Sequence, residues 1–341
     1  MNGLTRILGA GPAGLTAAIV LAQNGRRVAI YERRPGVGLR FNEDYQGLEN
    51  WSVEQDALSE LEEEGLKINF FCKPFSSGRI YNPALVPLEV CSPRTLFYMV
   101  KRGRGADTLD TGLQRQALDA GVEFYYNQTI SPREADIVAT GPRGVNALAA
   151  GITFETDLRD CAYGIVGDHL APKGYTYLLV ADGKATLATV LFSSFSKASL
   201  CLERAIHTYG RLLGLTITNP RRWGGYGNFD VPQTAIMDGR LLVGEAAGFQ
   251  DFLFGFGIRL AMLSGILAAK SILYSENYDI LWKRRLLPLL KVSRVNRLLY
   301  TRLGNIAYNF LWLLVCKSHR PDRIMRLLYT WGNHEIPNHR L

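Results

Sequence analysis

Six residues near the start of the chain, Gly9-Ala10-Gly11-Pro12-Ala13-Gly14, constrain its fold more than any other stretch. They follow an apolar run ending at Leu8 and lead into a helix-forming segment, Pro12 to about Asn24. Leu15, Ile19 and Ala22 recur there at helical spacing, and Gly25 supplies a stop. A second strand, Val28 to Tyr31, ends on Glu32. In this geometry the first glycine permits a tight turn and the second lets backbone approach a pyrophosphate. The third lets helix and strand pack closely, and the strand-end acid takes a ribose hydroxyl. A turn built for packing alone leaves Glu32 without a reason. The expected dinucleotide contacts are therefore Gly9, Gly11, Ala13, Gly14, Glu32 and the adjoining Arg33.

A second glycine-rich turn lies more than two hundred residues further on. "GRLLVGEAAG" reads as a buried strand, Leu241 to Val243, followed by a turn presenting Gly244 and Glu245. Gly255, Gly257 and a helix from Ile258 follow, and the N-terminus of that helix would face an electron-rich ring edge. Between the two turns, "ADIVATG" ends in Thr140-Gly141, a small turn that would let the chain pass the adenine half of a cofactor. After Glu32 the chain enters a polar, glycine-bearing excursion, "RRPGVGLRFNEDYQGLEN", rather than the next strand and helix of a plain nicotinamide domain. Two turns far apart in sequence can serve one long ligand, and FAD is such a ligand. No second G-x-G-x-x-G with an acidic partner is present. NAD(P)H would then reduce the flavin by a transient visit, or another reductant would do so.

These stretches together resemble the FAD-dependent oxidoreductases related to geranylgeranyl reductases, within the superfamily of aromatic hydroxylases, squalene epoxidase and flavin halogenases. The resemblance runs from about Thr5 to Lys270 and is firmest at "GAGPAGLTAA" and "GEAAGF…GFGIRLAMLSG". It implies that Arg94 in "SPRTLFYMV" stands before a helix and contacts the flavin. The usual G-D-A-A-G reads Gly244-Glu245-Ala246-Ala247-Gly248 here, one methylene longer at the acid. The hairpin signal in Gly174 to Phe192, turning at Ala181-Asp182-Gly183, matches the family's substrate sheet, with Tyr177 where Trp often stands. "WGGYGNFDVP" resembles the segment leading to a proline near the ring. Tyr177, Trp223 and Phe249 are the substrate-side candidates, each also readable as ordinary core.

The resemblance implies an α/β, α+β overall, architecture. A Rossmann-like three-layer FAD domain is assembled from residues 1–72, 92–150 and 234–275, with an inserted antiparallel substrate sheet, 73–91 and 151–233. A basic helical region, 276–341, follows. Two chemistries stay open: hydride addition to an isoprenoid C=C bond, and oxygen insertion through a flavin hydroperoxide. The W-x-W-x-I-P string of flavin halogenases is absent. A prenyl-binding escort protein without flavin has a similar architecture, but intact pyrophosphate glycines argue against it.

Composition narrows the setting. With 47% hydrophobic and 21% charged residues the chain is globular. No apolar run approaches the eighteen or so residues of a spanning helix, and no export leader precedes the first strand. The five cysteines lie at least nineteen residues apart, which excludes a CxxC pair and a zinc pattern. No metal site is expected, and a reducing, cytoplasmic location is. The net charge of +8 is concentrated: residues 281–341 carry twelve Lys or Arg against Asp322 and Glu335. That distribution does not suit a nucleic-acid binder. It suits a tail that either packs on the core or lies on an anionic membrane at the inner face, which would serve a lipid-like substrate.

Overall fold

Strand β1 (Thr5–Leu8), helix α1 (Pro12–Gln23) and strand β2 (Val28–Glu32) form the first unit, the strands pairing in parallel with Ile7 beside Ile30. The computed structural model describes residues 3–317 and 321–330. Next come β3 (Tyr45–Glu49), α2 (Ala57–Glu63), β4 (Cys72–Phe75), β5 (Ser77–Tyr81), β6 (Pro87–Cys91) and β7 (Phe97–Lys101). Helix α3 (Leu109–Asp119) leads to β8 (Glu123–Tyr126) and β9 (Ile137–Val138). Four longer strands follow, β10 (Ala147–Glu155), β11 (Cys161–Val166), β12 (Tyr175–Ala181) and β13 (Lys184–Leu191). After them come α4 (Ala198–Leu213), β14 (Thr218–Gly227), β15 (Ile236–Met237), β16 (Arg240–Leu242) and α5 (Ile258–Tyr274). The chain continues through α6 (Tyr278–Arg285), α7 (Leu287–Lys317) and α8 (Pro321–Thr330). Helix α7 is broken at Gly304, where φ is 50° and ψ −136°.

Three sheets result. The first runs β15-β16-β9-β1-β2-β8, parallel except at its β15 edge. Its inner strands are short apolar runs because both faces are covered. Strand β9 lies beside β1 and β16 beside β9, all parallel, so the turn after β16 emerges on the same side as the turn after β1. Helix α5 packs across α1 to hold the two turns together. A Cβ at Gly265 would lie 2.2 Å from the Ala13 carbonyl oxygen, and Thr16 Oγ1 donates to Met262 O (3.1 Å). This is why α1 is buried from Ala13 to Leu21 and shows no polar face.

The second sheet, β14-β10-β13-β12-β11-β5-β6, is antiparallel apart from the β5–β11 pair. Asp182 and Gly183, both at positive φ (50° and 73°), make the two-residue turn between β12 and β13 that a right-handed strand twist favours. One face carries Leu178, Val180 and Leu187 against Leu202, Ala205 and Tyr209 of α4. The other face, carrying Tyr175, Tyr177 and Leu179, looks onto a cavity. A third sheet, β3-β7-β4, closes the remaining side. The separate status of that sheet is not apparent from the sequence pattern.

The C-terminal helices are anchored by an inner stripe. Val292, Ser293, Asn296, Arg297 and Tyr300 of α7 are buried, and Lys291, Arg294, Val295, Leu298, Leu299, Arg302 and Leu303 are exposed. Arg297, unlike the exposed Arg294 and Arg302, belongs to the buried stripe. Its guanidinium donates to Lys173 O (2.7 Å) and Leu253 O (2.9 Å), against the Phe192 ring. Among the described residues, no helix is long and apolar enough to cross a membrane.

Candidate cofactor and substrate cavity

A single cavity of about 780 Å³ runs between the first two sheets. One end is the turn after β1. Gly9 and Gly14 are there for backbone proximity: added Cβ atoms would lie 2.4 Å from Ala139 O and 2.2 Å from Gly9 O. At Gly11 an added Cβ meets nothing within 4 Å, because it would point into the cavity. Gly11 is the N-cap of α1 and no side chain caps the helix, whose first turn also lacks an acid. The first-turn N–H groups are thus left for an anion. Glu32 lines the same end, its carboxylate accepting from Ala10 N–H (2.9 Å) and Arg34 N–H (2.9 Å). Ala13, Arg33, Thr140 and Gly141 also line the wall, Gly141 at φ 80°. These residues fit an adenosine diphosphate moiety: open space beyond Gly11, free helix N–H groups and an acid held at strand end.

The second turn forms the middle of the cavity. Gly244, at φ 58°, donates its N–H to Ser264 Oγ (2.8 Å), which ties the turn to α5. Gly257 and Ile258 present the N-terminus of α5, and Gly257 caps it without a side-chain partner. Arg259, one residue on, is buried and locked to Glu49 (2.6 Å), fixing that helix end against β3. Glu245 lines the cavity but is not free. Its carboxylate pairs with Arg40 (2.6 Å), and Arg40 also donates to the Tyr226 carbonyl. Arg40 therefore joins the excursion after β2 to the second turn and to β14. The sequence offered no specific signal for it beyond one cation in a glycine-rich loop.

Arg94 does not stand before a helix. It precedes β7, is exposed, and among the described residues its guanidinium reaches only Val53 O (3.4 Å), outside the cavity. The arginine between a strand and a helix is Arg102, at the end of β7 and before α3. It is buried and bonded to both oxygens of Asp110 (2.9 Å each). It stacks on Phe41 (4.0 Å) and lines the cavity. An apolar run, an arginine and then the N-cap Thr108 formed the overlooked signal.

The far end of the cavity is apolar. Trp51, Ile80, Val90, Leu96, Phe97 and Phe256 line it, and Trp51 meets Phe256 edge-on (4.7 Å). Tyr177 and Trp223 both line the cavity from the second sheet. Phe249 does not. It is fully buried against Trp282 of α6 (5.0 Å), a core residue beneath the second turn. Its benzyl group holds the turn from behind rather than meeting a ligand.

Fold and cavity define a chain built on a Rossmann-like nucleotide-binding domain, with one continuous cavity running from its glycine turns. The NAD(P)-binding Rossmann-like domain family matches residues 7–50. The chain is similar in sequence to two proteins named as reductases of a geranylgeranyl lipid. It is 26% identical over 310 residues to the digeranylgeranylglycerophospholipid reductase of Methanosphaerula palustris, covering 77% of this chain and 74% of that protein. The protein of the same name from Methanocaldococcus jannaschii is 25% identical, with 77% and 75% covered. A geranylgeranyl bacteriochlorophyll reductase-like structure from Thermoplasma acidophilum superposes with a TM-score of 0.74 at 20% identity, over 97% of this chain and 98% of that one. A flavin-dependent brominase superposes with a TM-score of 0.63 at 16% identity, over 95% and 92%.

Proposed function

We propose that this chain binds FAD along the cavity and uses it to reduce C=C bonds of an isoprenoid lipid. The observation that carries the reading is the continuity of one cavity from two glycine turns to an apolar chamber. When bound, the reduced flavin would supply the hydride and solvent or a side chain the proton, with NAD(P)H returning the flavin to its reduced state. The chain's own residues do the rest. The N–H groups after Gly11 hold the pyrophosphate, and Glu32 takes the adenosine ribose. Thr140 and Gly141 pass the adenine half, Arg33 adds positive charge nearby, and Arg102, neutralised by Asp110, shapes the wall. Gly244, Glu245, Gly257 and Ile258 border the ribityl chain and ring. The aromatic and aliphatic chamber wall excludes water and seats the hydrocarbon.

The lipid character of the two named reductases supports an isoprenoid substrate here. The outer stripe of α7 supports contact with an anionic bilayer at the cytoplasmic face. Leu298, Leu299 and Leu303 are each about half exposed (51%, 52% and 51%), flanked by exposed Lys291, Arg294 and Arg302. That pattern is how an interfacial helix lies in the headgroup region.

The test is product analysis. The flavin-loaded protein, given an excess of reductant and a digeranylgeranylglycerophospholipid, should yield lipid heavier by two hydrogens per double bond reduced. A product heavier by one oxygen, formed only in air, would replace the reductase with a monooxygenase.

A further inference from the structure

One row of residues crosses the cavity face of the second sheet at a single level. In strand order it is Ile80, Gly164, Tyr177, Ala188, Gly151 and Trp223. Only small residues flank Tyr177 on either side, so its ring packs not on its strand neighbours but with Tyr45, Met99 and Phe97 of the third sheet. At the end of the row Trp223 lies flat over Gly151, where an added Cβ would sit 2.3 Å from the indole.

Several polar groups on this face have their partners inside the protein. Tyr175 donates its hydroxyl to the Phe254 carbonyl, and Thr186 Oγ1 accepts from Tyr45 N–H (2.7 Å). The indole Nε1 of Trp223 lacks a partner but is shut away from the cavity. Asp44, whose charge is felt at Tyr177, has its oxygens taken by Asn42 N–H (2.9 Å) and Gln46 Nε2 (2.8 Å). The Tyr177 hydroxyl has no hydrogen-bond partner among the described residues, and it opens on the cavity. Burial holds the phenol well above its ordinary value, so it remains a neutral O–H donor.

An unpaired donor in an apolar chamber loses its water without compensation, unless a ligand supplies an acceptor. We infer that Tyr177 donates a hydrogen bond to an oxygen of the substrate, so that the chamber selects an oxygen-bearing isoprenoid over a plain hydrocarbon. This rests on the isoprenoid reading above. A site built around such a donor discriminates strongly against the analogue lacking the acceptor.

The experiment uses the full chain loaded with oxidised FAD. Geranylgeraniol and the matching hydrocarbon, with hydrogen in place of the hydroxyl, are titrated while tryptophan fluorescence and the flavin spectrum are followed. The native protein should bind the alcohol at least tenfold more tightly. Tyr177→Phe should remove that preference and leave hydrocarbon and FAD affinities unchanged. Equal binding of both probes by the native protein, or a preference that survives Tyr177→Phe, overturns the inference. A changed flavin spectrum with the preference intact would assign the hydroxyl to the flavin, which also overturns it. Binding of neither probe by flavin-loaded protein removes the isoprenoid reading itself, and the inference with it.

Discussion

At Gly11 an added side chain would point into the cavity, whereas at Gly9 and Gly14 it would strike backbone. Gly11→Val should therefore fold with a near-native melting temperature in the apo form. FAD affinity should fall by roughly a hundredfold or more, about 2.8 kcal/mol. Stoichiometric FAD in the purified variant would contradict the assignment of this turn. The Arg40–Glu245 pair (2.6 Å) spans the cavity wall from the excursion after β2 to the second turn. If the two act as one clasp beside the cofactor, Arg40→Ala and Glu245→Ala should each weaken FAD. The double variant should then lose less than the sum of the two losses. A coupling of about 1 kcal/mol in an apo-protein titration is expected, and strict additivity would show that they act separately. Glycines and the strand-end acid were legible in the sequence because local backbone geometry dictates them. Arg40 and Arg102 were not, since their partners Glu245 and Asp110 are set by tertiary packing. Phe249 and Tyr177 are equally aromatic in sequence, and only the direction each faces separates core from cavity.

The loop between the second turn and α5 is held by a buried acid. Asp251 accepts from Leu253 N–H (3.2 Å), Phe254 N–H (2.6 Å) and the Tyr329 hydroxyl of α8 (3.2 Å). Burial raises its carboxyl from 3.8 to about 6, with the charge of Glu49 acting in the same direction. The native state thus favours the protonated acid. Its contribution to stability is fully present below pH 3.8 and is lost as pH rises through about 6. Asp251→Asn should flatten the fall in unfolding free energy across that window, by a difference on the order of 2–3 kcal/mol. Parallel pH profiles for the variant and native protein would show that the carboxyl is not strained by burial. Elements with local signals, such as α1 and the β12–β13 hairpin, were readable from periodicity and turn residues. The third sheet was not, because β3 pairs with β7 across some fifty residues, and neither strand alternates cleanly.

Across the whole molecule, Arg297 and Tyr300 dock α7 between the second turn's loop and the second sheet, Tyr300 donating to Gly174 O (2.7 Å). The same docking leaves the basic, leucine-bearing stripe facing outward. Charge concentration in the tail was visible in the sequence, but which arginines point inward was not. Co-sedimentation should occur with vesicles rich in anionic lipid and weaken as salt is raised. Leu298→Ser with Leu299→Ser should reduce it at constant charge. Equal failure on anionic and zwitterionic vesicles would leave the stripe as a solvated face.

The most direct measurement mixes anaerobically reduced, flavin-loaded protein with a digeranylgeranylglycerophospholipid in a stopped-flow instrument. For a reductase, the oxidised flavin spectrum should return in the absence of oxygen, at a rate that saturates with lipid. A flavin that stays reduced with the lipid and reoxidises only when oxygen is admitted would contradict that function.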